Sequence, residues 1–419
     1  MAAHDRRRFG AWLACALLVA CSAELVPSAS PPTTPTTSPP MASLSSSAAP
    51  PSPSDPPLSL EDLSWRVITE PFEDERTQQV AGLFMNPYGE LVAWGYESVR
   101  AAGSVDNLPT FWTSPNTLVW AEARLGTVGE HLDLADIAAG PNGFAAVGFD
   151  ADAVAAWWST NADSWDRATI SPQPVPDQSG MAAVGGGTAG YLAVGSEQER
   201  AAAWFSSDGL GWKPVEAGFG EGNFWDVTQS PDGGFVVVGQ DRSRGDWNAA
   251  AWVVSPDAAD WRAAEPNDAI AGPGAEDIAR VWAFDGGYFA FGHALDPRNK
   301  FCGLCPINPE TWRLYTSPDG IEWAQHAIDL DQAEPVLLEY TAIEPWGDGL
   351  MAVGRGSDGV VRTWLSGDGA EWRPVGEPVD LGALAADEPG VSDLMLADQF
   401  ILISGGLIGD GYVAVGASR

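Results

Sequence analysis

The heptapeptide Ser206-Ser207-Asp208-Gly209-Leu210-Gly211-Trp212 recurs along the chain in close variants, and that recurrence confines the fold to a repeat architecture. Six copies share the form Ser-x-(Asp or Asn)-x-x-x-Trp. Their key residues are Ser114, Asn116 and Trp120; Ser159, Asn161 and Trp165; Ser206, Asp208 and Trp212; Ser255, Asp257 and Trp261; Ser317, Asp319 and Trp323; and Ser366, Asp368 and Trp372. The Trp markers stand 45 to 62 residues apart, the span of one four-stranded propeller blade.

Between the markers lies a second recurring element, a Gly-turn followed by an apolar run that ends in Gly, as in Gly190-Tyr191-Leu192-Ala193-Val194-Gly195. Short β-branched and aromatic runs bounded by Gly, Asp, Asn and Pro read as strands, and no stretch carries a long helical period. In the fourth unit the spacing predicts strands over Trp225–Gln229, Phe235–Gln240, Ala249–Val254 and Trp261–Ala264. The fold class expected is all-β, a seven-bladed β-propeller of four-stranded antiparallel blades, with six blades as the alternative. At the C-terminus, Val391–Ala397, Phe400–Gly405 and Tyr412–Ser418 supply three strands and no fourth. Trp65, preceded at the box offset by Ser59, is expected to bring an N-terminal strand that completes this last blade. Gly411–Gly416 also looks like a second strand, which would leave the blade incomplete.

The heptapeptide resembles the Asp-box, or BNR, repeat of sialidases and related propeller proteins, in a variant one residue shorter than Ser-x-Asp-x-Gly-x-Thr-Trp. The resemblance runs from about Ser59 to the C-terminus. It implies that each box closes the hairpin between the third and fourth strands, with Ser and Asp bonding turn amides and the Trp packed inside, a structural role in keeping with side-chain capping of turns. It raises sialidase activity as a possibility to test. Those enzymes grip the substrate carboxylate with three Arg and use a Tyr-Glu nucleophile, and the Phe/Tyr-Arg-Ile-Pro motif carrying the first Arg is absent. Fold does not carry reaction with it.

The ends are organised differently. Arg6, Arg7 and Arg8 precede an apolar run of 12 residues, Phe9–Ala20, too short to span a bilayer and suited to a signal peptide. Leu18-Val19-Ala20-Cys21 resembles the lipobox of bacterial lipoproteins, which implies lipidation of Cys21 and an anchored, extracytoplasmic location on the bacterial cell envelope. Arg6-Arg7-Arg8-Phe9 also resembles the twin-arginine signal, so the export route stays open. Residues 21–57, rich in Pro, Ser and Thr, read as a disordered stalk, and 58–419 as the propeller.

The formal net charge is −36, and it becomes −38 once residues 1–20, with three Arg and one Asp, are removed. That balance argues against nucleic acid as a partner. Cys302 and Cys305 remain as a pair, expected as a disulfide in an exported protein, with a zinc site drawing on His293 and Asp296 as the alternative. His131, His293 and His326 are read as surface or packing residues. Gly185–Gly190 matches a dinucleotide fingerprint but joins two strands, so it is a turn. No catalytic residue, metal site or cofactor is assigned. The reading is a monomeric, membrane-tethered propeller that binds a protein or glycan without catalysis. Sialidase-like or other glycoside hydrolysis, and a purely structural envelope scaffold, are the alternatives.

Overall fold

The computed structural model describes residues 63–418 apart from short stretches, the longest being 125–131, 173–178, 296–311, 328–341 and 382–389. The described residues form 29 strands and no helix. They assemble into seven sheets arranged as the blades of a seven-bladed β-propeller.

The inner strands of blades 1 to 7 are Thr77–Met85, Leu132–Gly140, Ser179–Gly186, Gly222–Gln229, Ala275–Phe284, Ala342–Trp346 and Gly390–Leu396. In blade 4 the remaining strands are Phe235–Asp241, Asn248–Val254 and Trp261–Ala263, within about two residues of the spans expected from sequence.

The second strands explain the continuous apolar runs. Phe235, Val236, Val237 and Val238 are all fully buried, because both faces of this strand are covered. Val236 and Val238 pack with Tyr288 and Tyr315 of blade 5, while Val237 packs with Leu192 and Val194 of blade 3. Successive side chains thus feed successive interfaces. The same alternation around the ring yields seven apolar clusters, one between each pair of neighbouring blades.

Ring closure follows the expectation. Leu63–Ile68 runs antiparallel to Tyr412–Ser418, with Leu63 opposite Ser418 and Ile68 opposite Val413, so blade 7 is built from both ends of the chain. Tyr412–Ser418 is the third strand of that blade, which settles the alternative placement of Gly411–Gly416 and excludes six blades. Leu63 is fully buried between blades 6 and 7, and Ile68 packs on the blade 1 side.

One blade departs from the four-stranded pattern. Thr169–Ile170, on the crossing from blade 2 to blade 3, adds a short parallel strand to the outer edge of blade 3. Thr169 N–H donates to Leu210 O at 2.8 Å and Ser171 N–H to Trp212 O at 3.1 Å, so the crossing covers groups that an edge strand leaves bare.

Candidate functional site: the central channel

The box residues lie at the perimeter, on the turns between third and fourth strands. In blade 3, Ser206 Oγ accepts from Gly209 N–H at 2.8 Å, and Asp208 Oδ1 accepts from Leu210 and Gly211 N–H at 2.9 Å each. Trp212 Nε1 donates back to Gly209 O at 2.9 Å. Trp120, Trp165, Trp261 and Trp323 repeat that donation to Thr117, Ala162, Ala258 and Gly320 at 2.9–3.1 Å. The amides hold the carboxyls of Asp208 and Asp319 below the ordinary range despite some burial, and Asp257 is lowered first by its bond to Ser255. In the sixth box Ser366 and Trp372 are buried, and Asp368 lies outside the described residues. Turns between first and second strands meet the boxes of the next blade on the same face. Asn86 Nδ2 donates to Asn161 O at 3.3 Å, and Asn142 Nδ2 to Ser207 O at 3.1 Å.

The channel is lined by other residues. Six of the inner strands carry a β-bulge, and just past it stand Gly82, Asp136, Ala183, Asp226, Arg280 and Asp393. A bulge re-aims the following side chain, here away from strict alternation. Asp136 uses Oδ1 to accept from its neighbour Ile137 N–H at 2.8 Å and Oδ2 to accept from Val184 N–H of the next blade at 2.9 Å. Asp226 repeats this with Val227 and with Val281 of blade 5, both at 2.9 Å. Asp393 accepts from Leu83 N–H at 2.7 Å, which latches blade 7 to blade 1. Glu344 instead takes a bond from Trp282 Nε1 at 3.3 Å, joining blades 5 and 6.

These carboxylates are half-buried, open to the channel yet deep in the ring. Burial, the largest cause, pushes Asp136 up to about 7, with Asp226 adding repulsion. Glu344 rises to about 8, from burial and then from Asp393, and Asp393 to about 6 from burial. Asp226 is raised by burial and moderated first by Arg280. Burial and the crowding of like charges thus act in the same direction on Asp136 and Glu344. The seven inner strands hold seven acidic residues against one arginine, Arg280, and no lysine or histidine. Arg280 is exposed. Among the described residues no group of three or more His, Cys, Asp or Glu is placed to hold a metal ion.

On the box face the channel opens through a different surface. Phe84, Phe284, Trp346, Met395 and Leu396 are partly buried there against the clusters between blades, and Met85 is 43% exposed. The last two residues of each inner strand include no charged side chain.

Of the residues singled out by sequence, Cys21, Ser59, His131, Asp296, Cys302 and Cys305 lie outside the described residues. His293 sits in a strand opposite Trp312, and His326 Nε2 shares a 2.8 Å hydrogen bond with Thr316 Oγ1. The single inner-strand arginine contrasts with the three that the sialidase possibility requires. The channel acids escaped sequence reasoning. A usable signal was present in Ala135-Asp136-Ile137, Trp225-Asp226-Val227 and Ser392-Asp393-Leu394, an Asp before a branched apolar residue ahead of each Gly-bounded run.

The fold and channel define the class, a seven-bladed β-propeller with an acidic axis. No protein-family model matches the chain. No curated protein matches it. Among solved structures, a catalytically inactive virginiamycin B lyase from Staphylococcus aureus with quinupristin is 10% identical, covering 85% of this chain and 99% of that one at a TM-score of 0.52. A streptogramin B lyase is also 10% identical, over 85% and 98%, with a TM-score of 0.50. A peptide-bound YCF48 is 13% identical over 85% and 95%, with a TM-score of 0.49. At such identities the likeness is one of fold.

Proposed function

We propose that the chain is a lipid-tethered, extracytoplasmic propeller that binds a protein or glycan without turning it over. The observation that carries this reading is the uncharged, partly exposed apolar mouth of the channel, half of it aromatic, on a chain of net charge −36. Concave, largely apolar sites with a few convergent polar groups are where ligands are held. The acids behind it serve as acceptors for backbone N–H groups of two blades, an arrangement that holds the ring together. The tether rests on the n-region, the apolar run and Cys21, followed by a stalk that reaches about 3 Å per residue when extended.

A second reading, glycan hydrolysis, is favoured by Glu344 and Asp393. Burial and then the charge of Asp393 raise Glu344 to about 8, while burial raises Asp393 to about 6, a separation of the kind an acid and its partner require. Against it, Asp393 is engaged by two backbone amides and Arg280 stands alone.

One experiment tests both parts. The Cys21→Ser chain should leave the membrane fraction and, passed over glycan and peptide arrays, should retain a ligand that is recovered intact. A chain that stays with the membrane overturns the tether, and ligand recovered cleaved establishes the second reading.

A further inference from the structure

We infer that the ligand of the channel is a peptide that presents a basic side chain flanked by apolar ones, admitted through the mouth on the box face. This deepens the binding reading above and rests on it. The mouth is apolar: Met85 is exposed, Phe84, Phe284, Trp346, Met395 and Leu396 are partly buried against the clusters between blades, and no charged residue interrupts them at the strand ends. A partly exposed apolar rim of this kind on a strongly acidic chain suits an apolar group of a partner. A shallow depression of about 330 Å³, lined by Gln229, Ser230, Pro231, Ala283 and Phe284, adjoins the mouth and has room for a neighbouring side chain.

One tier deeper the character changes. Trp282 is bonded to Glu344, and beyond lie Asp136, Asp226 and Asp393 against Arg280 alone. Lysine and arginine match this sequence of surfaces, since their apolar stems lie along hydrophobic walls while the charged head reaches further. Aromatic faces near the carboxylates add attraction for a cation. An acidic peptide would meet like charge, and a neutral sugar would stack on the mouth and leave the four carboxylates with Arg280 as their one cationic neighbour among the inner strands. Charge complementarity therefore selects the occupant. The groups facing the cationic head are Asp136, Asp226, Glu344 and Asp393, with Arg280 opposing it. Asp277 is turned toward Gln240, at 3.4 Å.

Panning a random peptide library on the immobilised full chain should enrich sequences with Lys or Arg beside aliphatic or aromatic residues. The most enriched peptide, and its version with every basic residue replaced by glutamine, are then titrated by calorimetry at about pH 8.5 and about pH 5.5. The basic peptide should bind about tenfold more tightly at the higher pH. The gap should narrow at the lower pH, where Asp136, Glu344 and Asp393, titrating near 6 to 8, take up protons. Glu344→Gln keeps the side chain's size and should narrow the same gap at high pH while leaving the glutamine peptide unaffected. Met85→Ser, at an exposed position, should weaken both peptides alike. Enrichment of acidic or neutral sequences, no enrichment, or equal affinity of the two peptides overturns the inference. Retention of a glycan in place of peptide overturns it too but leaves the binding reading intact, and retention of neither overturns both.

Discussion

Thr117, Ala162 and Ala258 adopt the left-handed turn conformation, with φ of 67°, 66° and 55°, at the box position where Gly209 and Gly320 stand at 81° and 76°. A side chain there costs about 1–2 kcal/mol through contact of Cβ with the carbonyl, whereas glycine's extra unfolded-state freedom costs about 0.5–1. Thr117 is β-branched and only half-buried, so little packing is lost with its side chain, and Thr117→Gly should raise stability by about 0.5–1 kcal/mol. Gly209→Ala should do the reverse, by about 1–3 kcal/mol from the backbone alone. Its added Cβ would also lie 2.2 Å from Trp158 Cδ1. Denaturant unfolding of the two variants measures both effects. Changes of the same sign would mean that the box turn tolerates either residue.

At the scale of the element, blade 7 is the one whose box is cut open. Trp65 stands opposite Gly416 as Trp212 stands at the end of its hairpin, but the two paired strands here are distant in sequence and no box turn joins them. In five boxes the indole N–H donates to a turn carbonyl, while Trp65 Nε1 is buried without a partner among the described residues. Replacing each Trp by Phe keeps the ring packing and removes the N–H. Trp212→Phe should therefore cost about 1 kcal/mol more than Trp65→Phe, the worth of one neutral hydrogen bond. Equal losses in melting experiments would show that the box bond contributes nothing net. These elements were legible in the sequence because their signals are local: a turn held by Ser and Asp, a Trp at fixed offset, a Gly-bounded run buried on both faces. The inner strands were less so. In Leu132–Gly140 and Gly222–Gln229 a bulge breaks the alternation. The role of Asp136 also depends on an amide 48 residues away, which no local pattern announces.

The whole ring carries a pH dependence of definite sign. Asp136, Glu344 and Asp393 titrate near 7, 8 and 6, above their ordinary values of 3.8, 4.5 and 3.8. Between those limits the folded state binds more protons than the unfolded chain, so stability falls as pH rises from about 5 to about 8 and is regained on acidification. The lowered carboxyls of Asp208, Asp257 and Asp319 act in the other direction, and their contribution is lost only below their ordinary value of 3.8. Thermal midpoints should therefore peak at mildly acidic pH, and Glu344→Gln should flatten the alkaline decline. A midpoint that climbs from pH 5 to pH 8 would contradict the charge crowding described in the channel.

Blade 7 also sets the order in which the molecule can be finished. Ser64 Oγ bonds Ala417 O across 353 residues, so Leu63–Ile68, made early in synthesis, waits for a strand made much later. Until Tyr412–Ser418 arrives, the growing chain is an arc with a bare edge at each end, and contacts this distant in sequence are slow to form and prone to wrong pairing. A ribosome stalled before Tyr412–Ser418 leaves six complete blades and no closed ring. Completion is thus an all-or-none event that a truncated copy cannot imitate.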